Sequence, residues 1–135
     1  MESGYISIDN NIFQTLLAIS PDEQRKGLMY EPWPPPIMSF IYDKPTINKF
    51  WMHNTQSPLD ILFCCNGKIT QIHAGEPFST KIIGDDKYSD LIVELPFGTA
   101  KKSNIKINSN VELIKPDRRE LQKIIAEKYY GIIKI

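Results

Sequence analysis

The sequence predicts an α+β domain, mainly antiparallel β, with a compact curved or barrel-like sheet, two short helices and a C-terminal helix. Three observations predict it. Short apolar-rich segments at 37–42, 48–53, 59–65 and 68–74 follow one another with breaker residues between them. Asn66-Gly67 separates two β-rich runs, and this dipeptide favours a two-residue type I′ hairpin because both residues take φ > 0. After Pro116 the apolar spacing turns helical.

The elements follow in order. Residues 11–19 read as the first strand. Ser20 then caps a helix, with Pro21 at its first position and Glu23 closing a capping box three residues on. That helix is short, ending by Met29, because Pro32, Pro34, Pro35 and Pro36 forbid its continuation and make a rigid connector around Trp33. Asp43-Lys44-Pro45 and Gln56-Ser57-Pro58 punctuate the next strands. Residues 75–89 read as a long loop, 91–95 as a strand ended by Pro96, 97–104 as a short helix and 110–114 as a last strand. Residues 1–115 thus make a single β-rich domain. In 116–135, Asp117 caps a helix whose Leu121, Ile124, Ile125, Lys128 and Tyr129 share one face, and Gly131 ends it before an apolar tail. That segment is expected to pack on the domain or on a partner, including a second copy.

Composition narrows the function classes. The chain has 135 residues at 15.5 kDa, with 41% hydrophobic and 24% charged residues, which fits one ordinary globular domain. Sixteen Lys and Arg balance 16 Asp and Glu, so no net field draws the chain to nucleic acid or anionic lipid. No apolar run approaches a membrane span. The first residues have no basic segment followed by an apolar stretch, so a secretory signal is not expected and a cytoplasmic location is. Cys64 and Cys65 are adjacent, and strand neighbours point to opposite faces, so they read as two reduced thiols rather than a disulfide or zinc pair. Neither a cofactor nor a metal is implied.

Three blocks carry a family resemblance: Glu23-Gln24-Arg25-Lys26-Gly27-Leu28-Met29-Tyr30; Phe50-Trp51-Met52-His53-Asn54-Thr55 with Pro58-Leu59-Asp60-Ile61-Leu62-Phe63; and Leu91-Ile92-Val93-Glu94-Leu95-Pro96-Phe97-Gly98-Thr99-Ala100. In this order, over roughly residues 11–114, they resemble the domain of unknown function 192 family. His53 stands where that family has Lys, and Glu31 lies close to the place where it often has Arg. The resemblance implies a compact β-rich fold and no assigned activity.

A tight Asn66-Gly67 turn sets Cys65 opposite Lys68 and, counting back, Asp60 opposite His73. A carboxylate beside an imidazole is the base-and-orienter half of a catalytic constellation, although no nucleophile turn accompanies it. A structural cross-strand pair is the other reading. Of Trp51 and Met52, one is expected in the core and the other in a groove. His53, Asn54 and Thr55 either face a ligand or bond local backbone and pin a turn. The leading expectation is a non-catalytic small-ligand or protein-binding module, with Trp51, His53, Asn54, Thr55, Asp60, His73 and Glu94 as binding residues. The alternative is a small hydrolase using Asp60 and His73, with a bound water or metal assisting.

Overall fold

A computed structural model describes residues 1–114, and the expected C-terminal helix and tail at 116–135 lie outside those residues. The elements are β1 (Glu2–Ile8), β2 (Asn11–Ala18), α1 (Pro21–Lys26), β3 (Met38–Ile47), β4 (Leu59–Cys65), β5 (Lys68–Gly75), β6 (Tyr88–Pro96), α2 (Thr99–Lys102) and β7 (Val111–Ile114). They form one seven-stranded sheet in the order β5-β4-β6-β3-β2-β1-β7. Every pairing is antiparallel except that of β2 with β3, which are joined through α1. The sheet curls into a half-barrel, and its edges meet at one end. There Ile69 N–H donates to Ser109 O at 3.0 Å, and Val111 N–H donates to Gly67 O at 2.9 Å.

Both faces of the central strands are covered. One core, inside the curl, joins Ile6 and Ile8 of β1 to Leu62, Cys64, Ile69, Val93 and Leu95. The other, on the outer face, gathers Leu28, Met38, Phe40, Met52, Leu59, Ile61, Phe63 and Ile92 under α1 and the segment before β4. Double-sided burial explains why β4 reads Leu-Asp-Ile-Leu-Phe-Cys-Cys, a nearly unbroken apolar run, rather than an alternation. Cys64 is buried and Cys65 partly exposed, both as free thiols.

Local chemistry shapes α1 as expected. Ser20 Oγ accepts from Glu23 N–H at 3.1 Å, and Glu23 Oε1 accepts from Ser20 N–H at 3.0 Å. These backbone donors hold the Glu23 carboxyl below its ordinary range. Gly27 ends the helix at φ 50°, a left-handed conformation that favours glycine, and turns Leu28 into the outer core.

Three expectations are corrected. Residues 2–8 form an additional strand, paired to β2 across Asp9 and Asn10. Residues 48–53 are not a strand; they form a loop attached by one bridge, Phe50 to Ile83. The third concerns the β4–β5 hairpin. Its turn is as expected, with φ 51° at Asn66 and 77° at Gly67, and Cys65 and Cys64 face Lys68 and Ile69. A bulge then inserts Thr70, whose hydroxyl donates to Phe63 O at 3.2 Å, so Phe63 faces Gln71. From there His73 faces Ile61 and Asp60 faces Ala74. One extra residue has moved His73 to the face opposite Asp60.

Candidate functional site

The outer core is closed by two segments distant in sequence. Phe50 anchors one, making edge contacts with Phe40 at 4.9 Å and Phe63 at 5.8 Å between ring centroids. Its neighbours divide as expected, since Met52 is 0% exposed within the core and Trp51 is 47% exposed. The other segment is α1 with Gly27, Leu28 and Met29. Tyr30 and Asn54 tie the two together: Tyr30 N–H donates to Asn54 O at 2.9 Å, and Asn54 Nδ2 donates to Tyr30 Oη at 2.8 Å. Asn54 adopts φ 53°, which asparagine tolerates better than most residues.

Between these segments lies a cavity of about 200 Å³. Leu28, Met29, Phe50 and Trp51 supply apolar wall, Tyr42 and Thr55 polar wall, and Arg25, Lys26 and Lys49 basic groups. Glu94 reaches it from β6, where it lies between Met38 of β3 and Ile61 of β4. The Glu94 side chain belongs to a residue only 4% exposed, and its carboxyl has no hydrogen-bond or ion-pair partner among the described residues. Burial pushes its pKa up to about 8, so it is mostly protonated at neutral pH. Burial, with the charge of Glu94 second, pushes the Tyr42 phenol up to about 12. Two neutral O–H groups therefore border one cavity.

The basic groups differ in their commitments. Arg25 Nη1 meets Asp22 Oδ1 at 2.8 Å on the exposed helix face, and Lys49 Nζ meets Asp86 Oδ1 at 2.8 Å while donating to Gly84 O at 2.8 Å. Lys26 has no ion-pair partner among the described residues. Two other concavities, of about 350 and 340 Å³, border β1–β7 and β2–β3, and no buried unpartnered carboxyl faces either one.

Of the expected binding residues, Trp51, Thr55 and Glu94 meet at this cavity. His53 lies outside it, stacked on Trp51 at 4.7 Å between ring centroids. Thr55 bonds local backbone, its Oγ1 donating to His53 O at 3.1 Å, whereas the Asn54 amide reaches the Tyr30 hydroxyl instead. Asp60 is elsewhere: its Oδ2 accepts from Gly98 N–H at 3.0 Å and Ala100 N–H at 2.9 Å, bracing the turn into α2. His73 packs edge-on against Phe63 at 5.5 Å, and its Nε2 donates to Gln71 Oε1 at 2.9 Å. The pairing of Asp60 with His73 inferred from the turn is thus not formed, because the Thr70 bulge separates them. Tyr42 carries no motif signal, whereas Lys26 lies within the first block of the family resemblance. The capped helix ending at Gly27 was the available pointer to the 24–29 wall.

Fold and cavity define a small half-barrel domain with a partly enclosed polar pocket beneath α1. The family model described as "Uncharacterized ACR", DUF192, matches residues 5–113, so the chain belongs to the domain of unknown function 192 family. Similar solved structures include two of uncharacterised proteins. A "putative transcription regulator" from Sinorhizobium meliloti 1021 has 27% identity and a TM-score of 0.77, with 83% of this chain and 94% of that one covered. A protein of unknown function from Novosphingobium aromaticivorans DSM 12444 has 28% identity and a TM-score of 0.75, with 82% and 84% covered. No curated protein matches the chain. No helix among the described residues is long and apolar enough to cross a membrane.

Proposed function

We propose that this domain is a non-catalytic small-ligand-binding module whose site is the Glu94 cavity. One observation carries the reading: a carboxyl with no protein partner among the described residues, on a residue only 4% exposed, opens to a cavity lined by residues from three separate sequence blocks. A buried polar group left unpaired costs free energy comparable to a lost hydrogen bond or more. A ligand that pairs with Glu94 gains a charge-assisted hydrogen bond to a carboxyl that has no competing protein partner among the described residues. The volume lies below the roughly 300–1,000 Å³ of sites for drug-sized molecules, which restricts the occupant to something smaller. The site mixes an aromatic wall with a few convergent polar groups, the usual make-up of such pockets.

The test is amide-resonance mapping with a mixed set of small polar molecules. Binding compounds are expected to shift resonances grouped on residues 24–29, 49–51 and 94, and Trp51→Ala is expected to weaken them. Shifts centred on Asp60 or His73, or on the other concavities, would overturn the assignment.

A further inference from the structure

We infer that the ligand is a small amino-carboxylate zwitterion, its ammonium group paired with Glu94 and its carboxylate directed to the Arg25–Lys26 rim. This deepens the ligand-site reading above and rests on it. The cavity has two poles of different character. At one, Glu94 is on a residue only 4% exposed, opens to the cavity and has no protein partner among the described residues, so its carboxyl is available to a group that enters and displaces water. At the other, Arg25 and Lys26 are exposed at the end of α1, and Lys26 has no ion-pair partner among the described residues. A lone anion would leave Glu94 without an ionic partner. A lone cation would pass the basic groups with nothing to offer them. A zwitterion answers both poles and brings no net charge.

The charged and titratable groups that line the cavity with Glu94 bear on its pH dependence. They are Arg25 and Lys26 from α1, Tyr42 from β3 and Lys49 from the loop, while the β4 neighbour, Ile61, does not titrate. Glu94, at about 8, titrates between pH 6 and 9, whereas the Tyr42 phenol lies near 12. An ammonium group binds the ionised carboxylate, so the empty site must release a proton to bind it. Affinity then rises about tenfold per pH unit up to pH 8 and levels above it.

The experiment titrates the full chain with 4-aminobutanoate, 6-aminohexanoate, butanoate and butylammonium, read by amide resonances at pH 6, 7, 8 and 9. One zwitterion is expected to bind at least tenfold tighter than both single-charge analogues, with the pH profile above. Glu94→Gln should flatten that profile and bring zwitterion and butanoate to similar affinity. Lys26→Ala should weaken the zwitterion and leave butylammonium unchanged. Butanoate binding as tightly as either zwitterion, or affinity falling as pH rises, would overturn the zwitterion while leaving the pocket standing. If none of the four shifts the cavity resonances but other small molecules do, the charge assignment fails alone. If no small molecule shifts them, the ligand-site reading fails with it.

Discussion

Glu94→Gln tests the buried acid without any ligand. The ordinary pKa of 4.5 is pushed up to about 8 by burial. Between those values the folded protein holds a proton that the unfolded chain has released, so stability falls as pH rises. The loss begins near pH 4.5, is complete near pH 8, and leaves stability flat beyond. At roughly 1.4 kcal/mol per unit, it reaches about 3 kcal/mol at pH 7 and about 5 kcal/mol above pH 8. Glutamine keeps nearly the same shape and never ionises. The variant should therefore match the natural protein near pH 4.5 and exceed its stability by roughly 3 kcal/mol at pH 7, a large share of the 5–15 kcal/mol typical of small domains. Urea unfolding at pH 5, 7 and 9 reads the difference directly. If the two proteins lose stability in parallel across that range, the Glu94 carboxyl is solvated or paired and the reasoning fails.

Three further outcomes follow from specific contacts. Asp60→Ala leaves the Gly98 and Ala100 N–H groups without their acceptor and should cost roughly 1–3 kcal/mol in urea unfolding, with small-molecule shifts at Glu94 retained. Burial pushes the Cys64 thiol up to about 12, so iodoacetamide at pH 8 should label Cys65 first and reach Cys64 only on unfolding, as intact mass would show. Gly84→Ala forces a side chain into φ 119°, with its Cβ 2.8 Å from Asn48 O, and should lower the melting temperature by loosening the contact of the Lys49–Trp51 loop with its neighbour.

The parts of the fold that were legible in sequence are those governed by neighbouring residues. Ser20, Pro21 and Glu23 specify a helix start through bonds spanning three residues. Asn66-Gly67 specifies its turn because both positions need φ > 0. The Thr70 bulge left a fainter trace: Ile69 and Ile72 both face the inner core although three residues apart, a break in the two-residue period. β1 shows little apolar pattern in the letters, since Ser3, Gly4 and Ser7 dilute it, although its Ile6 and Ile8 share the inner core.

The candidate site divides in the same way. Trp51, Thr55 and Glu94 could be picked out along the chain as chemically capable, and the resemblance over three blocks placed the domain in its family. Their meeting at one cavity, and the exclusion of Asp60 and His73 from it, came from long-range packing. The β4–β5 register, advanced by a single residue, sends His73 and Asp60 to opposite faces. The β6 register, by contrast, turns Glu94 toward the outer core beneath α1. Short-range rules act over a few bonds and can be read from the letters. Which face a side chain occupies depends on the sum of every bulge and pairing across the sheet, and whether an acid there is buried depends on which loop comes to cover it.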